Sequence, residues 1–237
     1  MPDLHWTIPV ARWSSWPAVA AVAPDIGFIE PMARRRLSTL SRVALKVAHD
    51  CAADHPNVRI VFASRHGELR RTTDILRNIS AGEPVSPTSF SLSVLNAMTG
   101  VFGISRGDRT AASALSAGAE TLGYALLEAH AQYATDPSTP VLLVYADEPA
   151  DPAYGTIEEE VHGGALAILL EDSAATGRLT CARTVAIATE APGDKGATDT
   201  VFATQSQAVH HCLDTRTAAQ WRGEHAAWAW SWHEGVA

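Results

Sequence analysis

The strongest local hint of chemistry is a run of small side chains, Ala112-Ser113-Ala114-Leu115-Ser116-Ala117-Gly118, lying between an apolar stretch and a helical pattern. A strand-to-helix elbow of this kind presents a nucleophile to the positive end of the following helix, where backbone N–H groups can also hold an oxyanion. Ser116-Ala117-Gly118 is the second half of a G-x-S-x-G elbow, with Ala114 in place of the first glycine. A hydrolase or acyltransferase using Ser116 or Ser113 also needs an acid and a base, and Asp151, His162, His210 and His211 are the candidates downstream. The competing reading is a tight helix-packing turn. His66, ahead of Gly67-Glu68, is either an active-site acid or base or a hydrogen-bonded turn histidine. The acidic run Glu158-Glu159-Glu160 reads as a solvated loop. Gly163-Gly164 lacks the surroundings of a phosphate-binding loop. Three cysteines without C-x-x-C spacing suggest neither zinc nor a disulfide scaffold, so no metal and no cofactor is expected.

The elements that must position these residues alternate between strand and helix. Leu37, Leu40, Ala44, Val47, Ala48 and Cys51 recur at helical spacing and predict an amphipathic helix over 35–53. A strand over 58–64, a helix over 69–79, a loop at 82–87 and an apolar helix over 91–105 follow. Then come a strand near 109–115, a helix over 116–133 and strands at 140–146, 165–170 and 179–189, with Gly177-Arg178 in a turn. The pattern is that of an α/β sheet closed by a hairpin-like addition. In the tail, 192–196 reads as a loop and 201–213 as a helix. Trp221, His225, Trp228 and Trp232 share a helical face, but Trp228, Trp230 and Trp232 also alternate, which favours a strand over 226–233.

With 237 residues, 46% hydrophobic and 19% charged, the chain has a globular balance that excludes a disordered or fibrous protein. A net charge of -8 argues against nucleic-acid binding. The apolar run from Pro17 to Pro24 is too short to span a membrane and has no basic segment before it. A reduced, cytoplasmic protein is expected. Residues 31–80 nevertheless hold ten Lys/Arg against four Asp/Glu, including Arg34, Arg35, Arg36, Arg70 and Arg71. This basic segment is either a solvated face or a docking patch for an acidic partner.

In their order and spacing these segments resemble the N-terminal half of a β-ketoacyl synthase. Ile79 to Pro87 resembles the loop leading to the helix that lines the acyl pocket, and Asn96 to Ile104 resembles that helix. Ser113 to Ala125 resembles the nucleophile elbow and its helix, with Gly118 and Gly123 at the family's small positions. Val141 to Ala146 and His162 to Glu171 resemble the next core strand and the glycine-rich turn with its hydrophobic strand. Phe62 to Glu68, followed by Ser86 to Ser91, is similar to a short subfamily, the chain-length-factor-like proteins that accompany aryl polyene ketosynthases. The resemblance is best over 35–172 and looser in the flanks.

It implies a single domain over 1–237, a thiolase-like half-fold of three α/β/α layers around a mixed five-stranded sheet, with 193–237 as a C-terminal extension. The family needs a cysteine thiolate at the elbow. Leu115 occupies that position, and no cysteine lies between Cys51 and Cys181. His210, His211, His225 and His233 fit none of the family's histidine motifs. The resemblance thus implies a non-catalytic subunit that pairs with a full-length β-ketoacyl synthase and shapes its acyl tunnel. Leu95, Met98, Phe102 and Leu115 would line the tunnel or interface, and Arg109, Thr110, Ala111 and Ala112 would form the dimer edge strand. The arginines would dock an acidic acyl carrier protein. A small serine enzyme and a homodimeric acyl-binding protein are the alternatives.

Overall fold

The computed structural model describes residues 3–185 and 200–235. The amino-terminal half contains β1 (Leu4–Val10), β2 (Arg12–Trp16), α1 (Pro31–Arg34), α2 (Thr39–Ala52), β3 (Arg59–Ala63), α3 (Leu69–Ser80), α4 (Pro87–Ser91), α5 (Ala97–Arg106) and β4 (Ala112–Leu115). It continues with α6 (Thr121–Thr135), β5 (Val141–Asp147), β6 (Gly164–Leu170), β7 (Gly177–Val185), β8 (Thr200–Phe202), α7 (Gln205–Thr215), β9 (Ala219–Arg222) and β10 (Ala226–Glu234).

The expected mixed five-stranded sheet is present, in the order β2-β6-β5-β3-β4. β3 runs parallel to β4 and β5, and β6 runs antiparallel to β5 and β2. Between Arg59 at the start of β3 and Asp147 at the end of β5, its central strands are apolar because both faces are covered. Ile60, Phe62, Leu142, Val144, Ala167 and Leu169 meet α2 and α5 on one face. Val61, Ala63, Leu143, Tyr145, Ile168 and Leu170 meet α6 on the other. This is the three-layer α/β/α unit.

A second five-stranded sheet, β1-β7-β10-β9-β8, adds a fourth layer that the sequence reading lacks. β6 and β7 are therefore not a hairpin: they belong to different sheets, and the turn between them spans Asp172 to Thr176 rather than Gly177-Arg178. The inner face of this sheet, with Trp6, Ile8, Leu179, Cys181, Trp221, Trp228 and Trp230, closes over α6 and α7. Sandwiched between sheets, α6 buries Leu122, Ala125, Leu126 and Ala129. The strand reading of 226–233 is correct. The helix expected over 201–213 is instead β8 followed by α7, whose N-cap is Thr204. The loop expected at 192–196 and the end of the strand expected over 179–189 lie outside the described residues.

The helix expected over 91–105 is broken. Ser91 and Ser93 hydroxyls bond back to the carbonyls of Thr88 and Phe90, which competes with helix continuation, and α5 starts only at Ala97. It stops at Gly107, in the left-handed region at φ 66°. The strand expected near 109–115 is likewise shorter. The Asp108 carboxylate accepts from the N–H groups of Val58 and Thr110, so Arg109 and Thr110 belong to a turn ahead of β4.

Candidate functional site at the ends of the parallel strands

The carboxyl ends of β3, β4 and β5 converge, as parallel neighbours must, and bring together the turn 64–67, the elbow 115–118 and Asp147. Asp147 is completely buried. Its carboxylate accepts from the Ser64 hydroxyl at 2.8 Å and from the backbone N–H groups of Arg65 at 2.7 Å and His66 at 3.0 Å. Burial pushes the Asp147 carboxyl up from its ordinary value, although these bonds and the Tyr145 hydroxyl pull it down. Ser64 in turn accepts from the Gly67 N–H at 2.8 Å. The nest of donors after β3 is thus filled by the protein's own carboxylate.

The acidic run is an exposed turn at Glu158 and Glu159, as expected, but Glu160 is half-buried and engaged. His66 Nε2 meets Glu160 at 2.7 Å, and the Arg65 guanidinium donates to the carbonyls of Glu158 and Glu159. Burial works to raise the Glu160 carboxyl, but the His66 bond and the N–H groups of Val161 and Ala150 hold it below its ordinary value. Glu159 also accepts from the Glu224 N–H at 2.9 Å, tying this strap to the second sheet. His66 is therefore a turn residue with a carboxylate partner, at the base of a closed loop.

At the elbow, Leu115 is half-buried and packs against the inter-sheet core. Ser116 is exposed and donates to the Arg65 carbonyl at 2.9 Å, while Ser113 accepts from the Gln132 amide at 3.1 Å. Among the described residues neither serine has a hydrogen bond to a histidine or carboxylate. Asp151 is paired with Arg77 at 2.9 Å. His162, His210 and His211 line a separate cleft of about 650 Å³ beside Trp16 and Phe202, and neither Ser113 nor Ser116 lines it. The serine-enzyme constellation is not assembled. All three thiols are buried too. Burial raises Cys51 and Cys212 to about 12 and Cys181 well above its ordinary value, so none is poised as a thiolate. Among the described residues no group of three or more His, Cys, Asp or Glu could hold a metal ion.

The expected tunnel stripe divides. Met98 and Phe102 are buried in the core beneath α2, where the Arg106 guanidinium lies 4.9 Å from the Phe102 ring centre, and Leu95 packs beside them. None of the three lines a cavity described here. The outer face of α5 does: Val101, Ile104 and Ser105 border a groove of about 490 Å³ with Phe28, Ile29 and Pro31. Ile104 is 86% exposed. β4 is an edge strand, and Ala111 and Ala112 are exposed along it. Of the five arginines, Arg71 is committed to Glu68 and to the Arg36 carbonyl, whereas Arg35, Arg36 and Arg70 are exposed. That carbonyl bond, at 3.0 Å, brings the two halves of the basic segment together.

Sequence reasoning missed β1, β2, Asp108, Asp147 and Gln205. β1 had a readable signal: Leu4-His5-Trp6-Thr7-Ile8 alternates strictly. The two glycines noted at the elbow have physical causes. Gly118 sits at φ 59°, and a Cβ on Gly123 would come within 2.5 Å of the Trp228 ring.

A five-stranded mixed sheet flanked by helices, with a strand–elbow–helix leading into the layer beneath a second sheet, defines a thiolase-like condensing-enzyme fold. Residues 11–231 match the β-ketoacyl synthase N-terminal domain, and the chain belongs to that family. It is similar to a chain in the structure of the ketosynthase ApeO in complex with its chain length factor ApeC from Xenorhabdus doucetiae. The TM-score there is 0.74 at 27% identity, over 95% of this chain and 99% of that one. The ishigamide ketosynthase/chain length factor shares the fold at TM-score 0.65 and 14% identity, over 97% and 99% of the two chains. A β-ketoacyl synthase from Burkholderia phymatum does so at 0.51 and 15%, over 67% of this chain and 50% of that one. No curated protein matches the sequence.

Proposed function

We propose that this chain is a non-condensing, chain-length-factor-like subunit that pairs with a full-length β-ketoacyl synthase in the cytoplasm and bounds its acyl tunnel, in aryl polyene-type biosynthesis. The observation that carries the reading is the elbow itself. It keeps the family's turn and helix but offers Leu115 where a thiolate is required, and the chain's three thiols are buried elsewhere. The chain matches 99% of a chain from a ketosynthase–chain length factor complex, but only half of the Burkholderia synthase.

Pairing would use β4, whose outer edge leaves a row of backbone groups open, with α5 beside it. The tunnel-facing group would then be the outward side of α5, including Ile104, and not the buried Phe102. Arg35, Arg36 and Arg70 are exposed cations with which the complex would steer an acidic carrier protein. Co-expression with a full-length ketosynthase should yield a stoichiometric complex by size-exclusion chromatography and mass. Ala112→Pro, which removes one N–H from the exposed edge strand, should abolish that complex while leaving the subunit folded. A wild-type subunit that never co-purifies with any such ketosynthase, or that takes up an acyl adduct on Ser113 or Ser116, would overturn the reading.

A further inference from the structure

Behind the elbow, the first turns of α6 and α7 meet in the layer between the two sheets. At the start of α6, the Ala117 N–H is satisfied by the Thr121 hydroxyl, and Glu120 is engaged by Arg183 at 2.7 Å and by the Trp228 indole at 2.8 Å. The Gly123 N–H lies within the first turn and has no intrahelical acceptor. Its acceptor comes from the facing helix: Gln205, the first residue of α7, presents Oε1 at 2.7 Å. Gln205 is only 4% exposed. Its Nε2 is buried with no hydrogen-bond partner among the described residues, and the side chain lines a void of about 20 Å³ with Gly118, Leu122, Tyr145 and Trp221.

We propose that Gln205 is the resident ligand of the elbow helix. Its amide carbonyl accepts from the Gly123 N–H as an acyl carbonyl would, and so occupies the place such a group would take. The site is then one for a small neutral carbonyl, an amide or acyl group, that the protein fills with its own side chain. A carbonyl at this point gains from the concentrated partial positive charge of two helix ends. The remaining void holds no more than about one water molecule, so nothing of acyl size enters while Gln205 stays in place. The functional consequence, a companion subunit that leaves acyl groups to its partner, rests on the reading given under Proposed function; the contact itself does not.

Gln205→Ala removes a fragment equivalent to acetamide, which is therefore the probe. The melting temperature of Gln205→Ala should fall by about 2–6 °C, the result of losing one buried hydrogen bond and its packing. Acetamide should raise it again, with no such rise in the wild-type protein, and a crystal structure of the variant with acetamide should show the probe's oxygen on the Gly123 N–H. The unaltered protein supplies a second measurement. The Gly123 amide should exchange with solvent deuterium at least about ten-fold more slowly than in Gln205→Met, which keeps the volume but not the acceptor. An acetamide response equal in wild type and variant overturns the proposal, as does a Gly123 amide that exchanges equally fast in both. Gln205→Ala should still bind the ketosynthase partner. If wild type fails to bind one, the companion reading falls and the acetamide result stands unaffected.

Discussion

At the carboxyl ends of β3, β4 and β5, Asp147 draws in four donors, Glu160 meets His66, and Gln205 meets Gly123. Along the outer edge of β4 and the outer face of α5 the chain does the reverse. A strand edge is left open, Ala112 is bare, and Ile104 and Val101 stand beside an apolar groove. In one region polar groups are paired within the chain, and in the other, among the described residues, a strand edge and apolar side chains are left exposed. A monomeric enzyme needs the opposite arrangement, with an accessible reaction chamber and a covered strand edge. The contrast teaches that polar groups at the strand ends are satisfied by internal contacts, whereas β4 and the outer face of α5 keep exposed apolar side chains and, among the described residues, an unpaired strand edge.

Asp147→Ala should produce the largest effect on the closed end. It leaves two backbone N–H groups and the Ser64 and Tyr145 hydroxyls buried without their acceptor. Each unsatisfied donor costs about 1–3 kcal/mol, so a total loss of about 3–5 kcal/mol is expected after partial relaxation. Chemical denaturation would read it directly. A loss below about 1 kcal/mol would mean that the turn after β3 does not depend on this carboxylate.

Ile104→Lys tests the open flank and should leave stability within about 0.5 kcal/mol of wild type, because an exposed site near a helix carboxyl end tolerates a cation. Affinity for the ketosynthase should nevertheless drop at least about ten-fold, the effect of forcing a charge into an apolar contact. Titration calorimetry separates the two outcomes. Unchanged affinity would remove the outer face of α5 from the interface and leave β4 to act alone.

The two regions were unequally legible. The central strands could be read because each is buried on both faces and its residues are apolar without interruption, as in Val141 to Ala146. Leu115 is assigned to the nucleophile's place by the resemblance of Ser113 to Ala125 to the family's elbow, not by local periodicity. The second sheet could not be assembled from sequence. Its strands come from both chain ends, β1 and β10 flanking β7, and local periodicity carries no information on which strands pair. The same limit hid Asp147 and Gln205. Each acts on a partner far along the chain, Asp147 on residues 64–66 and Gln205 on Gly123. Phe102 is buried in the core, and sequence alone could not place it there for a related reason. Its apolar stripe is real, but a stripe does not tell a tunnel wall from the core beneath α2.

The smallest effect belongs to the strap, and its sign distinguishes the two carboxylates of the closed end. Glu160 lies below its ordinary value of 4.5, because the His66 bond and two backbone N–H groups outweigh the burial that works to raise it. A carboxyl depressed in the folded state contributes stability above its unfolded value and loses it as pH falls through the folded value. Asp147 has the opposite sign: raised mainly by burial above 3.8, it makes the folded state bind its proton more tightly, so its contribution weakens as pH rises through that window. Glu160→Gln isolates the first of these. The Glu160 side chain is 28% exposed, so solvent screening limits the loss near neutral pH to about 0.5–1 kcal/mol. The difference from wild type should shrink as pH falls below 4.5 and vanish once the wild-type carboxyl is protonated. Urea denaturation of both proteins across that range is the measurement. A difference that stays constant with pH would assign the strap's hold to the Arg65 guanidinium and its two carbonyl acceptors, with the His66–Glu160 pair contributing only shape.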